Sequence, residues 1–300
     1  MNKALYFYTL MRKHKIKNFA SLLLKNKGTF ILDNDCKLRY SKETKKDISD
    51  LYLLSAEHGV EFSAKEGYWN FDSTNNLVTT PNGIKFKLQG FDAGIFSETF
   101  LYDIHYSRNL SDKIVIQSGG FTGDTALYYS EKGAKVYSFE PDPISYKLAL
   151  ENIKLNPQLS DNIVMKNYAI GKDEVIDFPV NEMGSGGSSA FNIGKNKTVK
   201  VMSISITKIL EEFHIDNPYL LDLDIKGKEF EVINDSSLSR FHKVRIEYSP
   251  DLAMVVNGRD LLLNKLKEYG FTTTRIFKHS GLRYDLHAHG TIEAQNCNSV

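Results

Sequence analysis

The sequence predicts an α/β protein. Its main part is a mostly parallel, doubly wound, Rossmann-like sheet, and an α+β extension precedes it. Three observations carry that reading. From Lys113 onward, short apolar runs of strand length alternate with helical segments, the pattern of parallel strands joined by crossover helices. A glycine-rich turn, "SGGFTGD" (118–124), follows the first of these runs. The last two runs, "FTTTRIF" and "YDLHAHGTIEA", have only "KHSGLR" between them, too short for a crossover, so they must pair antiparallel. Five parallel strands and a closing antiparallel hairpin make a seven-stranded sheet.

The elements follow in order. Residues 3–27 read as helical, with Leu5, Leu10, Ile16, Phe19 and Leu22–Leu24 set among basic residues. A docked terminal helix and a helix lying on a membrane surface both fit that pattern. "KETKKDISDLYLLSAEHGVEF" (42–62) contains a second helix. Residues 68–88 alternate around turn signals that include Pro81-Asn82-Gly83, which predicts a hairpin or short meander. "GIFSETFLYDIHY" (94–106) reads as a helix leading into the main part. Residues 1–95 are therefore expected to form a helical and hairpin extension, and 96–300 the main domain.

In the main part, 113–118 is a strand and "DTALYYSEKG" a helix stopped by Gly133. The next strand is 134–140. Asp142 as N-cap and Pro143 at the first helical position begin the following helix. Residues 162–171 read as a third strand, 181–197 as a Gly/Ser/Asn loop, and "SITKILEEFHI" as a helix. Strands at 219–227 and 242–250 and the helix "RDLLLNKLKEYG" precede the closing hairpin.

Composition excludes several classes. The chain has 300 residues, 41% of them hydrophobic, and a formal net charge of +1, so no global charge drives it onto nucleic acid or membrane. There is no apolar run long enough for a spanning helix. Cys36 and Cys297 have no partner at metal-ligand spacing, which argues against a disulfide scaffold or zinc knuckle. A cytoplasmic protein is the expectation.

In doubly wound sheets, ligands bind beyond the carboxyl ends of the strands, where strand order reverses. Gly119, Gly120 and Gly123 permit a tight turn and a close backbone approach there. The spacing is not the Gly-x-Gly-x-x-Gly of a dinucleotide site, and no Gly-Lys-Ser/Thr of a phosphate-binding loop follows. Asp124 begins the helix and repels a pyrophosphate; it suits a ligand bearing an ammonium group. Glu140 ends the next strand, where a carboxylate accepts hydrogen bonds from both ribose hydroxyls of a nucleoside. A nucleoside with an ammonium group and no phosphate describes S-adenosylmethionine.

The strings "VIQSGGFTGDTALYYSEKGAKVYSFEPDPISYKLALENIKLN", "VMKNYAIG", "GSGGSSAF" and "LLDLDIKGKEFEVI" resemble the FkbM-type family of S-adenosylmethionine-dependent methyltransferases. The resemblance covers about Phe86 to Phe271. It implies a class I methyltransferase fold and O-methylation of a hydroxyl on a small molecule or glycan-like acceptor. It places Gln117, Gly119, Gly120, Phe121, Gly123, Asp124, Glu140 and Pro141 around the cofactor, with Asn167 and Ala169 at its adenine edge. The chain departs from the family at four places: Gln117 where Asp is usual, Asp222 where Lys is common, Lys226 where Glu is common, and Ile206-Thr207 where Leu-Asp often stands.

Asp224 and Glu247 end the fourth and fifth parallel strands, beside the expected place of methyl transfer; Glu247 is the first candidate for base or acceptor-binding group and Asp224 the second, and Asp224 is also a cofactor-binding candidate that could stabilise the sulfonium or bind the amino group. Ion pairs with nearby Lys226, Lys228, Arg245 or Arg259 are the alternative for them. Ser188, Ser189 and Glu229 are the acceptor-side candidates; a surface loop and a helix start are the competing readings. His287 and His289 share a strand face but lack a third ligand, so no metal is expected. Two other functions compete: a binding or scaffold protein on a decayed methyltransferase domain, and an NAD-dependent oxidoreductase, which the glycine spacing and Asp124 disfavour.

Overall fold

The computed structural model describes residues 13–296, less 25, 32–36, 43, 44, 47, 50, 51, 53–67, 73, 74, 81, 89, 90, 101–103, 108, 181–196 and 279–289. Cys36, Cys297, Ser188, Ser189, His287 and His289 lie outside the described residues, as does much of the helix expected within 42–62. Two compact units divide the chain: Met1–Ser107 with Glu151–Pro157, and Arg108–Leu150 with Gln158–Val300.

The first unit contains α1 (Lys15–Leu24), β1 (Gly28–Ile31), β2 (Lys37–Tyr40), β3 (Tyr68–Asp72), β4 (Leu77–Thr79), β5 (Lys85–Lys87) and α2 (Ala93–Phe100). Its five strands form one sheet in the order β1-β2-β3-β4-β5. The expected meander is present as β3–β5. Its second turn closes through Gly83 at φ 85°, whose N–H donates to the Thr80 carbonyl at 2.9 Å. β1 and β2 were not expected. They are held by Phe30, which stacks on Tyr40 and Tyr52 with ring centroids 4.8 and 5.1 Å away. Asn18 ties α1 to this core by exchanging hydrogen bonds with Ile31 N–H and carbonyl. Asn152 and Asn156, from the 151–157 stretch, accept from Lys87 N–H and Lys85 N–H and so pair the outer edge of β5.

From Arg108 onward come β6 (Ile114–Ser118), α3 (Asp124–Glu131), β7 (Lys135–Phe139), α4 (Pro143–Lys154), α5 (Pro157–Ser160), β8 (Ile163–Lys166), β9 (Tyr168–Ile170), β10 (Glu174–Val180) and β11 (Lys197–Ile204); the end of α4 from Glu151 and Pro157 group with the first unit, and the rest belongs to the second. It continues through α6 (Ile206–Glu212), β12 (Leu220–Asp224), α7 (Glu229–Val232), β13 (Lys243–Tyr248), α8 (Pro250–Ala253), α9 (Gly258–Glu268), β14 (Phe271–Lys278) and β15 (Gly290–Asn296). The main sheet has seven strands in the order β14-β15-β13-β12-β6-β7-β8. β6, β7, β8, β12 and β13 run parallel, whereas β15 pairs antiparallel with both β13 and β14. The expected seven-stranded fold is therefore present. Strand order reverses at β6, which lies between β7 and β12, and this is where the fold offers a crevice.

One expected strand is two. The 162–171 segment breaks at Asn167: β8 stays in the main sheet, and β9 joins a second sheet ordered β10-β11-β9. Asn167 causes the break. Its amide donates to the carbonyls of Glu140 and Pro141 at 2.8 and 3.0 Å, turning the chain toward the end of β7.

Alternation gives the main sheet two different faces. On one, Ile116, Leu221, Leu223, Val244 and Ile246 form the core with Ile209 of α6 and Leu262 and Leu266 of α9, all fully or almost fully buried. The other face carries a polar row. In strict register, Glu293, Arg245, Asp222, Gln117 and Ser138 stand side by side on five adjacent strands. Among the described residues, no helix is long and apolar enough to cross a membrane.

Candidate active site

The glycine turn leaves β6 and folds over the ends of its two neighbours. Gly119 and Gly120 both donate their N–H to the Phe139 carbonyl at the end of β7, at 3.1 and 3.0 Å. Gly119 is at φ 83°, and a Cβ there would lie 2.1 Å from the Asp224 carbonyl oxygen at the end of β12. Only glycine permits that approach. Gly123, at φ 81°, packs on Ala149 of α4 and begins α3.

Gln117 braces this turn. Its amide nitrogen donates to the Gly119 carbonyl at 2.9 Å, and its oxygen accepts from the Ser138 hydroxyl. Asp222 beside it is buried and ion-paired with Arg245 at 3.1 Å, and Tyr129 of α3 hydrogen-bonds to both. Arg245 also reaches Glu293 at 3.4 Å. Burial opposes the guanidinium's charge, but Tyr129, Asp222 and Glu293 around it hold its pKa above the ordinary value. The departures at 117 and 222 thus belong together. With an acid at 222, a second acid at 117 would set two buried carboxylates opposite one another.

Glu140 lies just past β7, 7% exposed. One carboxylate oxygen accepts from Phe121 N–H at 2.7 Å and the other from Asp142 N–H at 2.8 Å, so the acid pins the glycine turn and the start of α4 together. Phe121 adopts φ 38° in doing so. Burial raises the Glu140 pKa to about 8; the two N–H donors oppose this, and the charges of Asp142 and Asp224 add to it. Each oxygen keeps a second acceptor direction.

Asp124, the first residue of α3, is also buried, and the Thr125 hydroxyl donates to it at 3.3 Å. Pro141 is half-buried at the start of the β7–α4 connection, and Ala169 sits on β9 opposite Ser203.

At the other side of the crevice, Asp224 and Glu247 end β12 and β13 in direct register. Lys226 bridges them, its Nζ 3.1 Å from Asp224 Oδ1 and 3.2 Å from Glu247 Oε1. The approach to Asp224 is an ion pair without hydrogen-bond alignment, and Oδ1 is a buried oxygen that hydrogen-bonds to nothing among the described residues. Burial and the Glu247 charge raise the Asp224 pKa, and Lys226 opposes the rise. Glu229, by contrast, is fully buried. Its oxygens accept from Gly227 N–H and Ser249 N–H, each at 2.6 Å, clamping the loop after β12 to the loop after β13. Burial raises its pKa to about 7.

The structure thus brings Gln117, the glycines, Phe121, Glu140, Pro141 and Asn167 to one side of the crevice and Asp224 and Glu247 to the other. Glu229 lies beneath the second group. Two site features were missed from sequence. The Lys226–Asp224 ion pair, the alternative weighed for Asp224, is present, whereas the reach of Lys226 on to Glu247 was not foreseen. Asp142 was read only as an N-cap; its Oδ1 does accept from Ile144 N–H at 2.8 Å, but its Oδ2 is buried with no hydrogen-bond partner among the described residues. Its place in the Phe-Glu-Pro-Asp-Pro string was the available signal.

A family model described as the methyltransferase FkbM domain matches residues 116–272, over half of the chain. The chain belongs to the FkbM methyltransferase family. The chain is also similar to several solved structures. An FkbM methyltransferase from Methylobacillus flagellatus is 16% identical, with 96% of this chain and 58% of that one covered, at a TM-score of 0.45. A putative transferase from Pyrococcus horikoshii is 15% identical over 97% of this chain and 98% of that one, also at 0.45. Magnesium protoporphyrin IX methyltransferase from Synechocystis, crystallised with S-adenosylmethionine, is 13% identical over 63% of this chain and 72% of that one, at 0.40. No curated protein matches the chain in sequence. Among the described residues, no group of three or more His, Cys, Asp or Glu side chains is placed to hold a metal.

Proposed function

We propose that this FkbM-family methyltransferase moves the methyl group of S-adenosylmethionine to a hydroxyl oxygen of a small-molecule or glycan-like acceptor. The observation that carries the reading is Glu140: a buried carboxylate at the reversal point of the sheet, beside a glycine turn that lacks a phosphate-binding sequence and has Asp124 at its helix start. The residues present fit the cofactor. The Gly119 turn leaves no room for a side chain because the Asp224 carbonyl oxygen lies against it, which holds the turn on the end of β12. Two buried carboxylate oxygens, of Asp142 and Asp224, make no hydrogen bond among the described residues.

The cofactor supplies an already activated methyl group on a sulfonium. The protein's work is to bind, align and take one proton. Glu140 receives the ribose hydroxyls on its remaining lone pairs. Asp124 meets the ammonium, and Asn167 fixes the backbone at the adenine edge. Glu247 would take the proton of the acceptor hydroxyl as that oxygen becomes the nucleophile. Asp224 balances the sulfonium charge and orients the acceptor. Ser188 and Ser189, which lie outside the described residues, are kept as acceptor-side candidates on the sequence alone.

Calorimetric titration with S-adenosylmethionine, S-adenosylhomocysteine and NAD tests the cofactor. Binding of the first two and not the third is expected. Preferential NAD binding overturns the reading, and binding of none favours a scaffold.

A further inference from the structure

Lys226 has no duty in the transfer described above, yet it is the best-placed cation in the crevice. Asp224 and Glu247 stand side by side at the ends of adjacent parallel strands, and its ammonium lies between them at 3.1 and 3.2 Å. Its backbone is at φ 48°, a left-handed conformation that a side-chain-bearing residue holds only when its surroundings impose it. Those surroundings are rigid. Gly119 is jammed against the Asp224 carbonyl, and Glu229 clamps Gly227 to Ser249. The backbone around the acid pair is therefore held, and the group that lies between the two carboxylates is the long, rotatable Lys226 side chain, 27% exposed.

We propose that Lys226 is a displaceable internal counter-ion: its ammonium fills the place between Asp224 and Glu247 that the cationic sulfur end of the methyl donor takes on binding. This rests on the S-adenosylmethionine reading. Two carboxylates in register repel one another and call for a cation between them. A sulfonium offers charge without a hydrogen-bond donor. Asp224 Oδ1, which faces the ammonium as an ion pair without hydrogen-bond alignment, suits such a group. Lys226 therefore opposes a cationic donor, which finds the acid pair already neutralised and loses that attraction, more than it opposes a neutral thioether, which has no such attraction to lose. After transfer the sulfur is neutral, and the returning ammonium displaces nothing favourable from the product.

The test titrates the wild-type protein, Lys226→Met and Lys226→Arg with S-adenosylmethionine and S-adenosylhomocysteine, whose sulfur is neutral. The ratio of donor to product affinity is expected to rise about ten-fold in Lys226→Met, and to stay near the wild-type value in Lys226→Arg. Should the Met variant not fold, Lys226→Gln serves as the neutral replacement. An unchanged ratio in the neutral variant, with both ligands still bound, overturns the counter-ion role and leaves the cofactor reading standing. Failure of the wild-type protein to bind either ligand overturns both.

Discussion

Asp222 and Gln117 stand directly opposite one another on the neighbouring strands β12 and β6, both buried, one charged and one neutral. The neutrality of Gln117 is what that geometry requires. Gln117→Asp places a second carboxylate beside Asp222 and deletes the donor to the Gly119 carbonyl. A loss of roughly 2–4 kcal/mol of stability is expected near neutral pH. The new acid's folded pKa is raised by its neighbour, so the penalty shrinks as pH falls and the group keeps its proton. Chemical denaturation at pH 5 and pH 7.5, with Gln117→Asp/Asp222→Asn as the rescue, checks this.

Arg245→Met leaves Asp222 buried without its ion-pair partner, and about 3–5 kcal/mol of destabilisation is expected. Removing both charges in Arg245→Met/Asp222→Leu recovers most of it. Urea unfolding of the two single variants and the double measures the coupling directly.

Glu140 and Glu229 give the protein an unusual pH dependence. Their folded pKa values, about 8 and about 7, lie above the ordinary 4.5. The folded state keeps protons that the unfolded chain releases, so their contribution to stability is full below about pH 4.5 and is lost as pH rises toward those values. Thermal unfolding without cofactor is expected to fall by roughly 5 °C or more between pH 5.5 and pH 8. Glu140→Gln flattens the curve.

Glu140→Ala removes the proposed ribose acceptor along with the brace on Phe121. Affinity for S-adenosylmethionine is expected to drop about 10- to 100-fold. Undiminished binding by calorimetry rejects the ribose assignment.

Gly119→Ala and Gly120→Ala separate backbone from side-chain crowding. A Cβ at 119 strikes the Asp224 carbonyl at 2.1 Å on a strand end that cannot move, at positive φ. A cost of roughly 3 kcal/mol is expected. A Cβ at 120 meets the Met165 methyl at 2.6 Å, the far end of a flexible side chain, and the Ser138 hydroxyl at 2.7 Å, which keeps its bond to Gln117 if the added methyl shifts toward Met165. About 1 kcal/mol or less is expected there. Circular-dichroism melts of the pair rank them.

Much of the fold was legible because its signals are local. The apolar runs, the N-cap at Asp142, the stop at Gly133 and the short connection before β15 are each contained in a dozen residues. The β10–β11 pair was not seen. "KTVKVMSI" alternates as a half-buried strand should, but it follows a Gly/Ser/Asn segment whose composition signals a loop and nothing about which strand pairs beyond it. The break at Asn167 depends on carbonyls 26 and 27 residues earlier in the chain, which no periodicity reports. At the site, glycine spacing and strand-end acids were readable. The Lys226 bridge and the Asp222–Arg245 pair were not, because both depend on which strands become neighbours.

The row from Glu293 to Ser138 also limits how this chain can be altered. Five residues scattered over more than half of its length read across the sheet like the letters of one word, and single spelling changes spoil it. A β6 segment borrowed from a relative with aspartate at 117 would bring a charge that Asp222 rejects. Positions 117, 222 and 245 have to be exchanged as a set, both in drift between relatives and in any attempt to retune the cofactor loop above them.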